Sequence, residues 1–283
     1  MFVLLYKRKN LSEMNVVTYV YICASVVLST VTALLSGVNA ALVWKIPLFA
    51  VGYFVTLILL HAIILGISIW AVDLKKNNAR ISRYYRVLTL ATLDLLFGTL
   101  GIRIHTTGLE KVPTDKKFLL VSNHTYDFDP AIFMHVMPKI DIGFVGKKEI
   151  YTDMLAIAKV MHKLNGLPLD RENNRNAVKT ISKASEYIKS DLCSMGIFPE
   201  GYCSLTGELL PFRNGAFKIA KKAHCPIVVA TISNTRIILK NIFRRPTDIY
   251  LDILEVIDID EVDSLSTAEL SDKIYPIVKE NMR

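Results

Sequence analysis

The stretch Phe118-Leu119-Leu120-Val121-Ser122-Asn123-His124-Thr125-Tyr126-Asp127-Phe128-Asp129-Pro130 passes from strand to turn to helix in one short run. Phe118 to Val121 is an apolar segment of strand length bounded by polar residues. Pro130 has a fixed φ and no N–H, which suits the first turn of a helix, and Ala131 to Val136 continues as one. Asp129 then falls at the N-cap. His124 is left in the turn between the two elements.

The same alternation repeats downstream. Ile142 to Val145 reads as a strand, Asp153 to Leu164 as a helix and Leu167 to Leu169 as a short strand. Asn174 to Lys189 is helical, with Val178, Ile181, Ala184 and Ile188 near helical spacing. Met195 to Phe198 is a strand, Ala216 to Ala223 a helix and Pro226 to Ile232 a strand; Ile249 to Val256 is a further strand and Thr267 to Asn281 a closing helix. Residues 73–283 therefore read as a layered α/β domain with a central mixed sheet flanked by helices.

Upstream the character changes. Asn15 to Trp44 and Ile46 to Val72 carry no formal charge, and each is long enough for a membrane helix. Residues 1–72 read as a two-helix hydrophobic hairpin anchor. Gly37 and Asn39 end the first helix, and Pro47 opens the second. Lys7, Arg8 and Lys9 precede the pair, while Lys75, Lys76, Arg80, Arg83 and Arg86 follow it. That bias puts both ends, and the domain beyond, on the cytoplasmic side of the cell membrane. A hairpin entering one leaflet only, or a signal peptide cleaved after Ala40, are the competing readings. Residues 78–104 mix Arg80, Arg83 and Arg86 with Tyr84, Tyr85 and a leucine-rich run, which fits an interfacial helix or a core helix of the next domain.

Composition agrees. Of the 283 residues, 52% are hydrophobic and 21% charged, with a net charge of +8; this excludes a disordered chain and points to a membrane or an anionic substrate. No nucleic-acid-binding motif accompanies the charge. The four cysteines, Cys23, Cys193, Cys203 and Cys225, show no zinc spacing and read as structural.

Four blocks hold candidate chemistry. In the first, the turn can fold the carboxylate of Asp129, or of Asp127, onto His124, and a carboxylate-held imidazole is a general base. The second, Gly166-Leu167-Pro168-Leu169-Asp170-Arg171, brings Arg171 to the end of a strand, where it either binds phosphate or pairs with Asp170. The third, Phe198-Pro199-Glu200-Gly201, offers the Glu200 acceptor and a flexible Gly201. The fourth is the proline-led strand Cys225-Pro226-Ile227-Val228-Val229.

In this order the blocks resemble the glycerolipid acyltransferase family, which includes the 1-acylglycerol-3-phosphate acyltransferases. Its pattern is NHxxxxD, a Gly-to-Asp-Arg block, FPEG and a proline-led strand, matched over roughly residues 100–240. The resemblance implies a membrane-bound enzyme moving an acyl group from acyl-CoA or acyl-carrier protein to a lysophospholipid, first of all 1-acylglycerol-3-phosphate, to give phosphatidate. It implies His124 as base, Asp129 as its orienter, and Arg171, Glu200, Gly201, Asn123 and Lys218 around the acceptor. It implies no metal, no bound cofactor, and attack without a covalent acyl-enzyme. Two positions depart from the pattern. Tyr126 stands where Ser is frequent, and Gly201-Tyr202-Cys203-Ser204 stands where Gly-Thr-Arg-Ser is frequent. A phosphate-binding Arg is thus missing from the third block. Arg213 or Lys218 are placed to compensate, and a lysolipid with another headgroup is the alternative acceptor.

Overall fold

The computed structural model describes residues 16–37, 44–76, 80–204, 206–242 and 244–283. Lys7, Arg8, Lys9, Asn39, Ala40 and Asn78 lie outside them. Helices α1 (Val16–Leu35) and α2 (Lys45–Trp70) come first, then α3 (Arg83–Thr99). The domain continues β1 (Ile102–Thr107), β2 (Leu119–Ser122), α4 (Asp129–Val136), β3 (Ile142–Lys147), α5 (Lys148–Asp153), α6 (Leu155–Lys163), β4 (Leu167–Leu169), α7 (Asn174–Lys189) and β5 (Ser194–Ile197). It closes with α8 (Lys218–Ala223), β6 (Ile227–Ser233), α9 (Ile238–Asn241), β7 (Thr247–Ile257), α10 (Ile259–Ser264) and α11 (Thr267–Asn281).

The strands form one seven-stranded sheet in the order β1-β7-β6-β2-β5-β3-β4. All neighbours are parallel except β6 and β7, so the sheet is mixed. Because strand side chains alternate between faces, each strand feeds two cores. Leu119, Val121, Met195, Ile197, Ile227 and Val229 pack under α7, α8 and α11. Phe118, Leu120, Phe144, Val228, Ala230 and Ile232 pack under α3 and α4. The result is a helix–sheet–helix sandwich.

The segment read as a helix over 78–104 divides. Helix α3 stops at Thr99, Gly101 takes a left-handed φ of 66°, and Ile102 starts an edge strand paired with β7. Its alternation is plain in hindsight: Ile102 and Ile104 are buried, Arg103 and His105 exposed. The second half of α3 is a core helix, with Phe97 fully buried. Arg86, read with the basic flank, instead joins Asp141 and the carbonyls of Pro138 and Ile140. Likewise the helix expected over 153–164 begins anew at Leu155, after a kink at Met154.

The hairpin is inside-out. Helix α2 buries only His61 and Ser68, while Leu48, Val51, Ile63, Ile67 and Trp70 are exposed. Both helices are long and apolar enough to cross a membrane. Polar pairs hold them together and onto α3. Thr32 bonds Tyr53, His61 bonds Tyr21 and Thr92, and Ser68 bonds Tyr84 and Tyr85. Asp94 of α3 accepts the amides of Val17 at 2.6 Å and Thr18 at 3.3 Å, so a carboxylate caps the start of α1.

Burial raises the Asp94 carboxyl to about 6, partly offset by those amide bonds. An acid raised in the folded state gives its full stabilisation below its unfolded value and loses it as pH rises through the folded one. Unfolding in detergent should therefore show Asp94→Asn gaining on the parent between pH 4 and pH 7, by at most about 3 kcal/mol. Parallel pH curves for the two proteins would contradict this.

Candidate active site

Strands β2, β5 and β4 run parallel, and each of the first three sequence blocks leaves the carboxyl end of one of them. In open α/β sheets that edge is where ligands bind. The fourth block lies elsewhere. Pro226 enters β6 at the opposite edge, where its carbonyl accepts the amide of Leu119.

After Ser122 the chain turns and brings Asp129 back against His124. Asp129 is fully buried, and its Oδ2 lies 2.8 Å from His124 Nδ1. The same oxygen accepts the amides of Thr125 at 2.7 Å and Tyr126 at 2.9 Å. Asp129 therefore binds the preceding turn and does not cap α4, whose N-cap residue Phe128 makes no side-chain cap bond. Asp127 is exposed and Asp129 is the partner of His124. With Nδ1 donating to the carboxylate, Nε2 is the basic nitrogen. The ring stacks on Phe198, with centroids 4.2 Å apart, which fixes its plane.

Glu200 ties the first and third blocks together. It is buried and accepts the amide of His124 at 2.5 Å and that of Leu210 at 2.7 Å. Burial raises its carboxyl, and the two amide bonds oppose the shift. Glu200 thus positions the backbone of the base. Gly201 has φ 78°, a conformation that favours glycine, and a Cβ there would also crowd the Arg213 side chain, with Nε at 3.0 Å.

Arg171 is not paired with Asp170. That carboxylate is taken by Lys148, Asn173 and Asn176. Instead the guanidinium of Arg171 lies 4.6 Å from the Tyr202 ring centre, and Arg213 reaches the same ring at 5.3 Å. Arg171 Nε is buried without a partner, and burial lowers the group's pKa, as does the Arg213 charge. Among the described residues neither arginine pairs with a carboxylate. Two cations thus share one ring, an arrangement with the chemistry to receive an anion.

Two expected contacts are not at the site. Asn123 is fully buried, and its amide clasps the backbone of Ile232 at both ends, each at 2.8 Å. Its role is to fix β2 beside β6. Lys218 is exposed at the start of α8 and, among the described residues, bonds no member of the site.

One residue was missed. Cys203, read as structural, lies with Sγ 3.0 Å from His124 Nε2 and 3.6 Å from Asp127 Oδ1. The donor atoms of His124, Asp127 and Cys203 lie within 4.8 Å of one another, close enough for one ion.

Residues 103–233 match the acyltransferase family model. Among curated relatives, the chain is 24% identical over 182 residues to human 1-acyl-sn-glycerol-3-phosphate acyltransferase alpha, covering 64% of this chain and 63% of that one. It is 31% identical over 164 residues to the 1-acyl-sn-glycerol-3-phosphate acyltransferase of Limnanthes douglasii, covering 57% of each. The chain thus spans about three fifths of the length of these relatives. Its fold is that of the 1-acyl-sn-glycerophosphate acyltransferase PlsC of Thermotoga maritima, with TM-score 0.58 and 22% identity over 78% of this chain and 86% of that one.

Proposed function

We propose that the protein is a membrane-bound O-acyltransferase. It moves a fatty acyl group from acyl-CoA or acyl-carrier protein to the hydroxyl of a lysophospholipid, with 1-acylglycerol-3-phosphate as first acceptor and phosphatidate as product. The observation that bears most weight is the His124–Asp129 pair, set beside Arg171 and Arg213. His124 Nε2 takes the hydroxyl proton, and the buried Asp129 stabilises the imidazolium that forms. The named relatives support the acceptor class.

Cys203 in place of an arginine favours a second reading, transfer to a lysolipid with a different headgroup. Arg213 weighs against it, because its guanidinium restores a second cation next to Gly201. An acceptor and donor panel on the purified protein separates the two. Arg171→Ala should raise KM for a phosphomonoester acceptor about tenfold to a hundredfold, the worth of a charge-assisted bond, with kcat changed less. An unchanged KM would remove Arg171 from the acceptor site.

The inside-out hairpin supports insertion in the bilayer, with the domain on the cytoplasmic face. Residues 45–60 of α2 precede its bonds to α3 at His61 and run for about 24 Å, against a hydrocarbon core of about 30 Å. The exposed apolar residues Ile63, Ile67 and Trp70 continue past that point, so all 26 residues of α2, about 39 Å, form a face long enough to span. A cysteine replacing Lys45 should be labelled by a membrane-impermeant maleimide added outside; protection there would establish a hairpin ending inside the bilayer.

A further inference from the structure

We propose that Tyr202 is a positioning residue that selects a phosphomonoester headgroup, by holding Arg213 beside Arg171. The inference deepens the lysophospholipid reading and rests on it. The two guanidiniums come from separate loops. Arg171 follows β4, and Arg213 lies ahead of α8, its amide bonded to the carbonyl of Pro199 at 2.8 Å. Like charges repel: burial lowers the Arg171 pKa, and the Arg213 charge lowers it further. The Tyr202 ring is what both meet, Arg171 at 4.6 Å and Arg213 at 5.3 Å from its centre. A ring face attracts a cation without neutralising it.

Little else engages Tyr202. It is 53% exposed, and among the described residues its hydroxyl makes no hydrogen bond and its ring stacks on no other ring. Its neighbour Cys203 turns to His124 Nε2 at 3.0 Å and brings no cation. Positions 202 and 203 therefore carry no positive charge of their own, and the ring supplies one by drawing in Arg213.

A ring in this place, where a carboxylate could equally bridge two arginines, decides what the pair can bind. A carboxylate would consume their N–H donors. The ring leaves them: Arg171 Nε is buried with no partner, and neither guanidinium meets a carboxylate among the described residues. A phosphomonoester offers three terminal oxygens and nearly two negative charges, enough to engage two guanidinium forks at once. A phosphodiester headgroup has fewer such oxygens and a single charge, and fills one fork. Holding both forks together therefore favours the monoester.

The test uses the full chain in detergent with one acyl donor, and compares 1-acylglycerol-3-phosphate with 1-acylglycerophosphocholine, a diester. A cation over a ring is worth about twofold to thirtyfold, according to its exposure. Tyr202→Leu and Tyr202→Thr should therefore raise KM for the monoester at least fivefold, while kcat, the diester KM and the donor KM stay within twofold. Tyr202→Phe should match the parent. Added to Arg213→Ala, Tyr202→Leu should raise the monoester KM by less than twofold more, because it acts through that arginine. With no donor present, glycerol 3-phosphate should raise the melting temperature of the parent and of Tyr202→Phe, and raise that of Tyr202→Leu less. A monoester KM that rises less than fivefold in any folded non-aromatic variant overturns the proposal, as does an equal rise for the diester. So does a Tyr202→Phe protein that behaves like Tyr202→Leu, an equal glycerol 3-phosphate shift in parent and Tyr202→Leu, or a parent that prefers the diester. A parent that transfers to no lysophospholipid from acyl-CoA or acyl-carrier protein would instead defeat the acyltransferase reading, and the glycerol 3-phosphate shift, which needs no transfer, would still test Tyr202.

Discussion

Replacement of His124 by alanine is expected to lower acyl transfer by about 10²–10⁴-fold, the range attached to a positioned general base, while the protein still folds. The first half follows from Nε2, the imidazole nitrogen that the bond to Asp129 leaves basic, at the edge where β2, β4 and β5 end. The second follows from how the turn is held. Its hydrogen bonds run through backbone groups and through Asp129 and Glu200: the His124 amide to Glu200, the His124 carbonyl to Ser204, and the Thr125 and Tyr126 amides to Asp129. None of these uses the imidazole. What is lost structurally is the ring's contact with Phe198, an effect of about 0.5–1.5 kcal/mol beyond burial. Transfer rate and melting temperature measured on the same preparation check both halves. Transfer within tenfold of the parent would remove His124 from the chemistry.

The second large effect is expected at Asp129. An asparagine keeps one oxygen where Oδ2 stands, able to accept the Thr125 and Tyr126 amides and the imidazole, but it has no charge to stabilise the imidazolium. Transfer should fall by about 10²–10⁴-fold with only a modest loss of stability. Asp129→Ala differs, because it leaves two buried amides unpaired at about 1–3 kcal/mol each. Since His124 and Asp129 act as one unit, the double variant His124→Ala with Asp129→Asn should be no slower than His124→Ala alone. Rates that multiply would show that Asp129 acts independently of the base. The spare oxygen, Oδ1, is buried without a partner.

Much of this arrangement is readable in the chain because the chemistry sits where local patterns change. His124 and Asp129 lie within one strand–turn–helix unit, and Arg171 and Glu200 each follow a short apolar strand. What escaped reading depends on residues far apart. The resemblance puts Asn123 around the acceptor, yet its amide is spent on Ile232, 109 residues away. Cys203 meets His124 across 79 residues, and no spacing within its own block announces it. Arg213 reaches the Tyr202 ring past Gly201, where there is no side chain in the way. Strand β1 was absorbed into the preceding helix because Leu100 and Gly101 alone separate the helical run from the alternating one; its place follows from pairing with β7. The hairpin was visible as two uncharged runs, whereas its attachment through Asp94 to Val17 and Thr18 was not.

The most direct measurement is mass spectrometry of the lipids formed when the purified protein meets a panel of lysophospholipids and both donor types. We predict a diacyl product with the new ester on the free hydroxyl, formed fastest from 1-acylglycerol-3-phosphate and abolished by His124→Ala. Folded protein that yields no acylated lipid from any acceptor with either donor would contradict the account.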